Sequence, residues 1–400
     1  MKEGWKTVKL GEVGTFTRGG GFLKRDYVED GYPCMHYGQI HMKLGVATTE
    51  HLSMIPHSLA IKSKIATKGD VIIAITSEDV EGSCKSTAWM GEYDIAIGAH
   101  TAIFKHNQNS LFLSYYFQSP QFNTLKRKYT RGFKVVEIKP SDIEKIEIPL
   151  PPLEEQHRIV SILDASFEKI DALKKNAEEN LKNAKALFQQ VLAQELEPKE
   201  GWVEKKLGEV VKHITDGDHQ PPPKSNQGIP FITISNINKD NRTIDWRNTF
   251  YVPKEYFDGL KDDRKPKKGD ILYTVTGSYG IPVLIDSDSE FCFQRHIAII
   301  RPNKETVCSE FLYNWALSVY SKEQAEDTAT GAAQKTVSLK SMRNFKISFP
   351  TDTEEQHRIV CTLDTLSEKC RRLEQVAQQT IRECEALKQS ILRQAFSGEL

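Results

Sequence analysis

Four stretches of this 400-residue sequence carry side chains whose types and spacing could do chemistry. Val136-Glu137-Ile138-Lys139 has the Glu-x-Lys form in which a carboxylate holds Mg²⁺ and a lysine steadies attacking water, but no suitable Asp closely precedes it. Asp216-Gly217-Asp218-His219 offers metal-ligating types, although Asp-Gly is more often a turn. Lys126-Arg127-Lys128, with Tyr129 and Arg131, is a compact basic cluster able to neutralise phosphates or, equally, to form a solvated helix end. A second cluster, Lys261, Arg264, Lys265, Lys267 and Lys268, is diluted by Asp258, Asp262 and Asp263. Adenine methyl transfer would need an Asn/Asp-Pro-Pro-aromatic motif and a glycine-rich cofactor turn. Gln220-Pro221-Pro222-Pro223 and Arg18-Gly19-Gly20-Gly21 do not supply them, and no Gly-x-x-x-x-Gly-Lys-Ser/Thr phosphate loop occurs. Binding chemistry outweighs catalytic chemistry.

The elements that would position these residues are organised around a repeat. Glu154-Glu155-Gln156-His157-Arg158-Ile159-Val160 recurs as Glu354 to Val360, a separation of half the chain, which indicates a tandem duplication. Each copy opens a long stretch without Pro or Gly. Apolar or small residues fall at seven-residue intervals, at Leu163, Ile170, Ala177, Ala184 and Val191, and in register at Leu363, Cys370, Ala377, Cys384 and Ile391. Ile159, Leu173, Leu181 and Leu187, matched by Ile359, Leu373, Ile381 and Leu387, are expected to complete the stripe. Such spacing predicts two helices, from about residue 154 and about 354, packed on each other along a seam. Small seam residues let the axes approach closely.

The globular parts repeat as well. Gly4-Trp5 and Leu10-Gly11-Glu12-Val13 return as Gly201-Trp202 and Leu207-Gly208-Glu209-Val210, and Lys68-Gly69-Asp70 returns as Lys268-Gly269-Asp270. Short β-type runs at 71–76, 95–97 and 101–104, punctuated by Gly and Asp, predict mostly β or α+β units. Ser110 is placed to cap a short helix that breaks near Pro120. The expected layout is a globular domain at 1–150, a central helix at 151–197, a second domain at 198–350 and a C-terminal helix at 351–400. Between the shared anchors the halves diverge, with Thr76-Ser77-Glu78-Asp79 facing Thr276-Gly277-Ser278-Tyr279. No apolar run approaches the ~20 residues of a membrane span, and the N-terminus has no signal-peptide core, so a cytoplasmic protein without membrane contact is expected. The 7 scattered cysteines, with no Cys-x-x-Cys pair, argue for a reducing compartment without disulfides or structural zinc.

These motifs resemble the specificity (S) subunits of type I restriction–modification systems. The resemblance spans essentially the whole chain. Its strongest parts are Pro149-Leu150-Pro151-Pro152 running into Leu153 to Val160, the repeat at 354–360, and the ending Arg393 to Leu400. Gly31 to Gly38, and Gly228 to Ile232 with Asn236-Ile237, are similar to one subclass of the family's target-recognition domains. Phe349-Pro350-Thr351-Asp352-Thr353 departs from the pattern by lacking the second proline, which puts the path into the second helix in question. The resemblance implies an α+β protein with two target-recognition domains separated by two long antiparallel helices packed as a coiled coil, a pseudo-twofold tandem repeat. It implies a non-catalytic subunit in which each domain reads half of a split site in double-stranded DNA. Methyltransferase (M) and restriction/translocase (R) subunits would be its partners and would carry S-adenosylmethionine, ATP and Mg, leaving this chain without a cofactor.

Base reading needs directional donors and acceptors on loops that reach the major groove. On that ground the candidates are His36, Tyr37, Gln39, Ser77, Glu78 and Lys85 in the first domain, beside Lys126, Arg127, Lys128 and Arg131. In the second they are His219, Lys224, Asn236, Asn238, Ser278, Tyr279, Arg295 and His296. A different class remains open: a two-module DNA-binding regulator on a coiled-coil spacer, without a methyltransferase partner. A third, a stand-alone nuclease, rests only on Glu137 and Lys139.

Overall fold

The computed structural model describes every residue except Met1, Lys2, Phe133, Asp218, Gln220 and Ala333. It divides into two compact units, residues 1–177 with 379–400, and residues 178–378. The Asp216 to His219 stretch is therefore only partly within reach, since Asp218 lies outside the described residues.

In the first unit, Val71-Ile72-Ile73-Ala74 is buried on both faces, as an uninterrupted apolar run predicts. The period of two sends Val71 and Ile73 into one core cluster and Ile72 and Ala74 into another. This strand sits in the middle of a five-stranded sheet ordered Gly14–Arg18, Thr101–His106, Val71–Ala74, Ser86–Trp89 and Ala47–Thr48. A second sheet runs Ser53–Ile55, Tyr32–Met35, Ile95–Ile97 and Lys64–Ala66. Lys6–Lys9 pairs antiparallel with Glu147–Leu150 and closes the domain just before the central helix. The short helix Ser110–Phe117 is capped by Asn109, whose side chain accepts from the Phe112 N–H. Ser110 instead donates to the Gly69 carbonyl. The expected cap is thus displaced by one residue, because Ser110 already has helical geometry.

The second unit repeats this plan. Ile271 and Tyr273 enter one core cluster and Leu272 another. The main sheet runs Val211–Asp216, Ile297–Pro302, Ile271–Thr274 and Pro282–Leu284. Trp202–Lys206 pairs with Lys346–Pro350 just before the C-terminal helix. Gly69 and Gly269 both have positive φ, 94° and 89°, which explains why both Lys-Gly-Asp turns need glycine.

The central helix spans Leu153–Glu195 and the C-terminal helix Thr353–Ser397. In the first unit the start of one meets the end of the other: Asp171 pairs with Lys388, Lys174 with Glu385, and Arg158 donates to the Leu400 carbonyl. Rising numbers on one helix meet falling numbers on the other, so the pair is antiparallel. In the second unit Leu192 and Leu196 share a core with Ile359, Val360 and Leu363, and Glu195 pairs with Arg358. Where the first helix is entered through Pro151-Pro152, the second is capped by Asp352, whose carboxylate accepts from the Glu354 N–H at 2.9 Å. The missing proline is replaced by a side-chain cap.

Eight of the ten seam residues, Leu163, Ile170, Ala177 and Ala184 with Leu363, Cys370, Ala377 and Cys384, are buried. Val191 and Ile391 are only partly buried, and Leu192 and Leu392 take the interior instead. A strict heptad drifts by ~20° per repeat on a straight helix, and after four repeats the next residue points closer to the starting direction. The flanking stripe needs a larger correction. Leu173, Leu187, Leu373 and Leu387 are exposed, Leu173 at 54% and Leu373 at 55%. A residue four places on from a seam position lies about 40° from it and one three places on about 60° to the other side, so close packing covers the former.

Candidate nucleic-acid interface

In the first domain, the short helix Tyr37–Met42 and its surroundings gather several candidate residues around Tyr37. Its ring lies 4.4 Å from that of His36, 5.3 Å from His100 and 5.9 Å from His41. Thr76 ties the cluster together: its hydroxyl is 3.1 Å from His100 Nδ1, and its carbonyl is 3.0 Å from His41 Nε2. Lys85 donates through Nζ to the His41 carbonyl at 2.8 Å. Ser77 follows Thr76 in a two-residue strand paired with Val136–Glu137, and Glu78 is exposed beside it. His36 is nearly buried, and burial first, then the charges of His100 and Lys24, hold its imidazole below the ordinary range. The cluster is a polar aromatic surface with both donors and acceptors.

Two of the candidates are committed elsewhere, and to the same task. Gln39 Oε1 accepts from the His36 N–H at 3.0 Å, and Asn236 Oδ1 accepts from the Thr233 N–H at 2.9 Å. Each sits three residues after the cap of a short helical turn and closes a capping box. Gln39 also donates to Ser53, and Asn236, 3% exposed, donates to the carbonyls of Asp245 and Asn248. Asn236 thus spends its amide on nearby backbone, and Gln39 its carbonyl on backbone and its amino group on the Ser53 hydroxyl.

In the basic cluster, one residue is turned inward. Lys126 is 0% exposed, and its ammonium donates to the carbonyls of Glu81 and Ser83. Burial pushes its pKa down. It staples the 79–84 loop and cannot reach a phosphate. Arg127 pairs with Glu81, Arg131 lies 3.4 Å from Asp142, and Lys128 sits over the Tyr129 ring at 4.8 Å. These three remain on the surface. Glu137, the carboxylate of the Glu-x-Lys motif, is 2.7 Å from the Arg18 guanidinium. Among the described residues no group of three His, Cys, Asp or Glu side chains is placed to hold a metal ion.

The second domain spreads its candidates more widely. Asn238 accepts from the N–H groups of Asp240 and Asn241 in the turn joining Ile237–Asn238 to Thr243–Ile244. Tyr279 lines a cavity with Arg242 and Lys322, and Ser278 is exposed next to it. His296 is half-buried, its carbonyl accepting from Val275, and Arg295 is exposed. Lys224 lies over the Phe250 ring at 5.2 Å, and His219 is 2.9 Å from Asp216.

A family model described as the type I restriction modification DNA specificity domain matches this chain twice, over residues 2–183 and 199–383. The chain belongs to this specificity-domain family. Across its whole length it is 24% identical to the EcoBI type I restriction enzyme specificity subunit of Escherichia coli, covering 87% of that protein. A solved structure from work on complex assembly and conformational transition of the type I R-M system matches with a TM-score of 0.78. It is 24% identical, and the alignment covers 100% of this chain and 99% of that one. The HsdS subunit from Thermoanaerobacter tengcongensis matches at 0.56, also at 24% identity, over 100% and 98%. These likenesses establish the fold.

Both specificity domains are fastened to their helix ends by the same glutamine. Gln156 accepts from the Asn109 N–H and donates to Gln108 and the Pro151 carbonyl. Gln356 accepts from the Cys308 N–H and donates to the carbonyls of Thr306 and Pro350. Sequence reading missed His41, Thr76 and His100 in the first specificity domain. A signal for His100 existed. His100-Thr101-Ala102-Ile103 repeats as His296-Ile297-Ala298-Ile299, with the imidazole-bearing residue offering its carbonyl to Ile75 in one copy and Val275 in the other. The offset there falls from 200 to 196, because the loops between the anchors differ in length, and a fixed offset hides the match.

Proposed function

We propose that this chain is the DNA-recognition subunit of a type I restriction–modification enzyme, each specificity domain reading one half of a bipartite site. The observation that carries this reading is the double match of the specificity-domain model, once per globular domain. The Tyr37 cluster and the Asn238–Tyr279 region are the surfaces assigned to base reading. The chain itself does no chemistry in this reading; methyl transfer from S-adenosylmethionine and ATP-driven cleavage with Mg²⁺ belong to methyltransferase and restriction subunits. The exposed leucines, Leu173 and Leu387 in one unit and Leu187 and Leu373 in the other, supply an apolar surface for those partners. The 43-residue central helix, roughly 65 Å at 1.5 Å per residue, spaces the two half-sites.

Replacing residues 1–150 by the first domain of another family member tests it. Methylation-aware sequencing of the host should show one half of the methylated site changed and the other retained. A change in both halves, or methylation indifferent to the swap, would refute independent reading. DNA binding with no effect on methylation would instead favour a regulator.

A further inference from the structure

The second domain contains a hollow of about 220 Å³ lined by Lys239, Arg242, Tyr279, Lys322 and Glu326. Three cations face one carboxylate there. Among the described residues neither Arg242, Lys239 nor Lys322 makes an ion pair, whereas several cations nearby in sequence do: Arg247 with Asp245, Lys254 with Glu290, Lys267 with Asp262. Glu326 lies near Lys322 and draws its pKa upward, but desolvation and the Arg242 charge outweigh it and hold the ammonium below its usual range. Positive charge therefore exceeds negative charge in the hollow, three cations to one carboxylate.

The backbone says the same. Arg242 adopts a φ of 55° in the turn after Asn238. Glycine takes this left-handed conformation without strain, so arginine is not there for the sake of the turn. The turn itself is secured by other groups, Asn238 accepting from Asp240 and Asn241, and Thr243 donating to Asn241. What arginine adds is a planar fork of donors, aimed into a site with an ammonium beside it, a combination suited to phosphate oxygens.

We propose that Arg242, Lys322 and Lys239 form a clamp for one backbone phosphodiester of duplex DNA. The inference rests on the recognition reading above, since Tyr279 lines the same hollow and Asn238 begins the turn that carries Arg242. A strand whose bases face those two side chains has its backbone within reach of the clamp. Contacts of this kind fix register and affinity without reading sequence.

The test uses the full chain assembled with its methyltransferase partner, with Arg242→Gly and Lys322→Ala as variants. Glycine relieves the positive φ, so Arg242→Gly should melt no lower than the parent. Binding of the cognate duplex and of a duplex altered in one half-site is measured across a salt series. Each variant should weaken binding to both duplexes by about threefold to tenfold and make the slope of log K against log salt shallower by about one. Unchanged affinity and slope, with the parent binding normally, would overturn the clamp alone. A variant that assembles poorly with the methyltransferase, yet binds DNA normally once assembled, would also overturn it by identifying an acidic protein partner. A parent complex that binds no duplex would overturn the recognition reading and the clamp together.

Discussion

The two domains are most alike where they join the long helices and least alike at the loops between the sheet strands. At the helix end the correspondence reaches single hydrogen bonds, as Gln156 and Gln356 each accept from one loop N–H and donate to a prolyl carbonyl. Leu10 and Leu207 likewise donate to the carbonyls of Ile146 and Phe345. At the loop end, one domain places Tyr37 among three imidazoles, and the other has the Arg242 turn and Tyr279. Attachment to the helices has one good solution and is repeated, while the loops away from the joints diverge.

The comparison can be broken most sharply at the shared Asp. Asp270 is held bidentately by Arg301, at 2.9 and 2.7 Å, and both side chains are largely buried. Its counterpart Asp70 has only Lys105 at 3.5 Å, half exposed, besides the Thr67 N–H and hydroxyl. Asp270→Ala takes the bidentate carboxylate from a largely buried guanidinium, leaving it Asp262 at 3.7 Å and the Lys265 carbonyl, and should cost about 3 kcal/mol. Asp70→Ala should cost about 1–2 kcal/mol, chiefly its lost hydrogen bonds. Denaturant melts of the full chain showing equal losses would mean the buried pair adds nothing to the second domain.

Gln156→Ala and Gln356→Ala sharpen the likeness instead. Each strips partners from a partly buried N–H and a carbonyl, so each should lower stability by about 2 kcal/mol, and by the same amount. Unequal losses would show that one copy has drifted into a different role.

A smaller effect concerns pH, where burial lowers His213 in the second domain as it does His36 and His106 in the first. Because His36 is held below its ordinary range, the folded first domain takes up a proton less readily than the unfolded chain. Its contribution is complete above about pH 6.5 and is lost as pH falls from there towards the lowered folded value. His36→Asn keeps a good cap and removes the titration, so it should flatten the acid side of the stability–pH curve. Some slope persists through His106 and His213, which burial also depresses. An unaltered acid limb in the variant would exclude His36 as its source. The smallest effect is expected on the helices, where Leu173→Ser and Leu373→Ser should change stability by less than about 0.5 kcal/mol. Their consequence should appear as weaker capture of the methyltransferase, and normal assembly would remove those leucines from the docking surface.

Much of the frame was legible because the duplication says everything twice. The helices begin within a residue of the repeat-based starts at 154 and 354, and the buried seam follows from spacing. The reading surface was less legible for a chemical reason. Residues that hydrogen-bond bases also hydrogen-bond backbone, and Gln39 and Asn236 do the latter. Lys126 was misjudged because its partners, the carbonyls of Glu81 and Ser83, lie more than forty residues away. Sequence spacing reports which residues share an element. It does not report which loop folds over them.

The repeated glutamine latch bears on how such a chain can change over generations. A segment encoding either domain, copied into the other slot, would meet a glutamine already placed to hold its loop and its incoming strand. The identical seven residues at 154–160 and 354–360 carry that latch to the same point after each domain. New specificity can then be acquired by exchange of whole domains, with no need for the joints to evolve again.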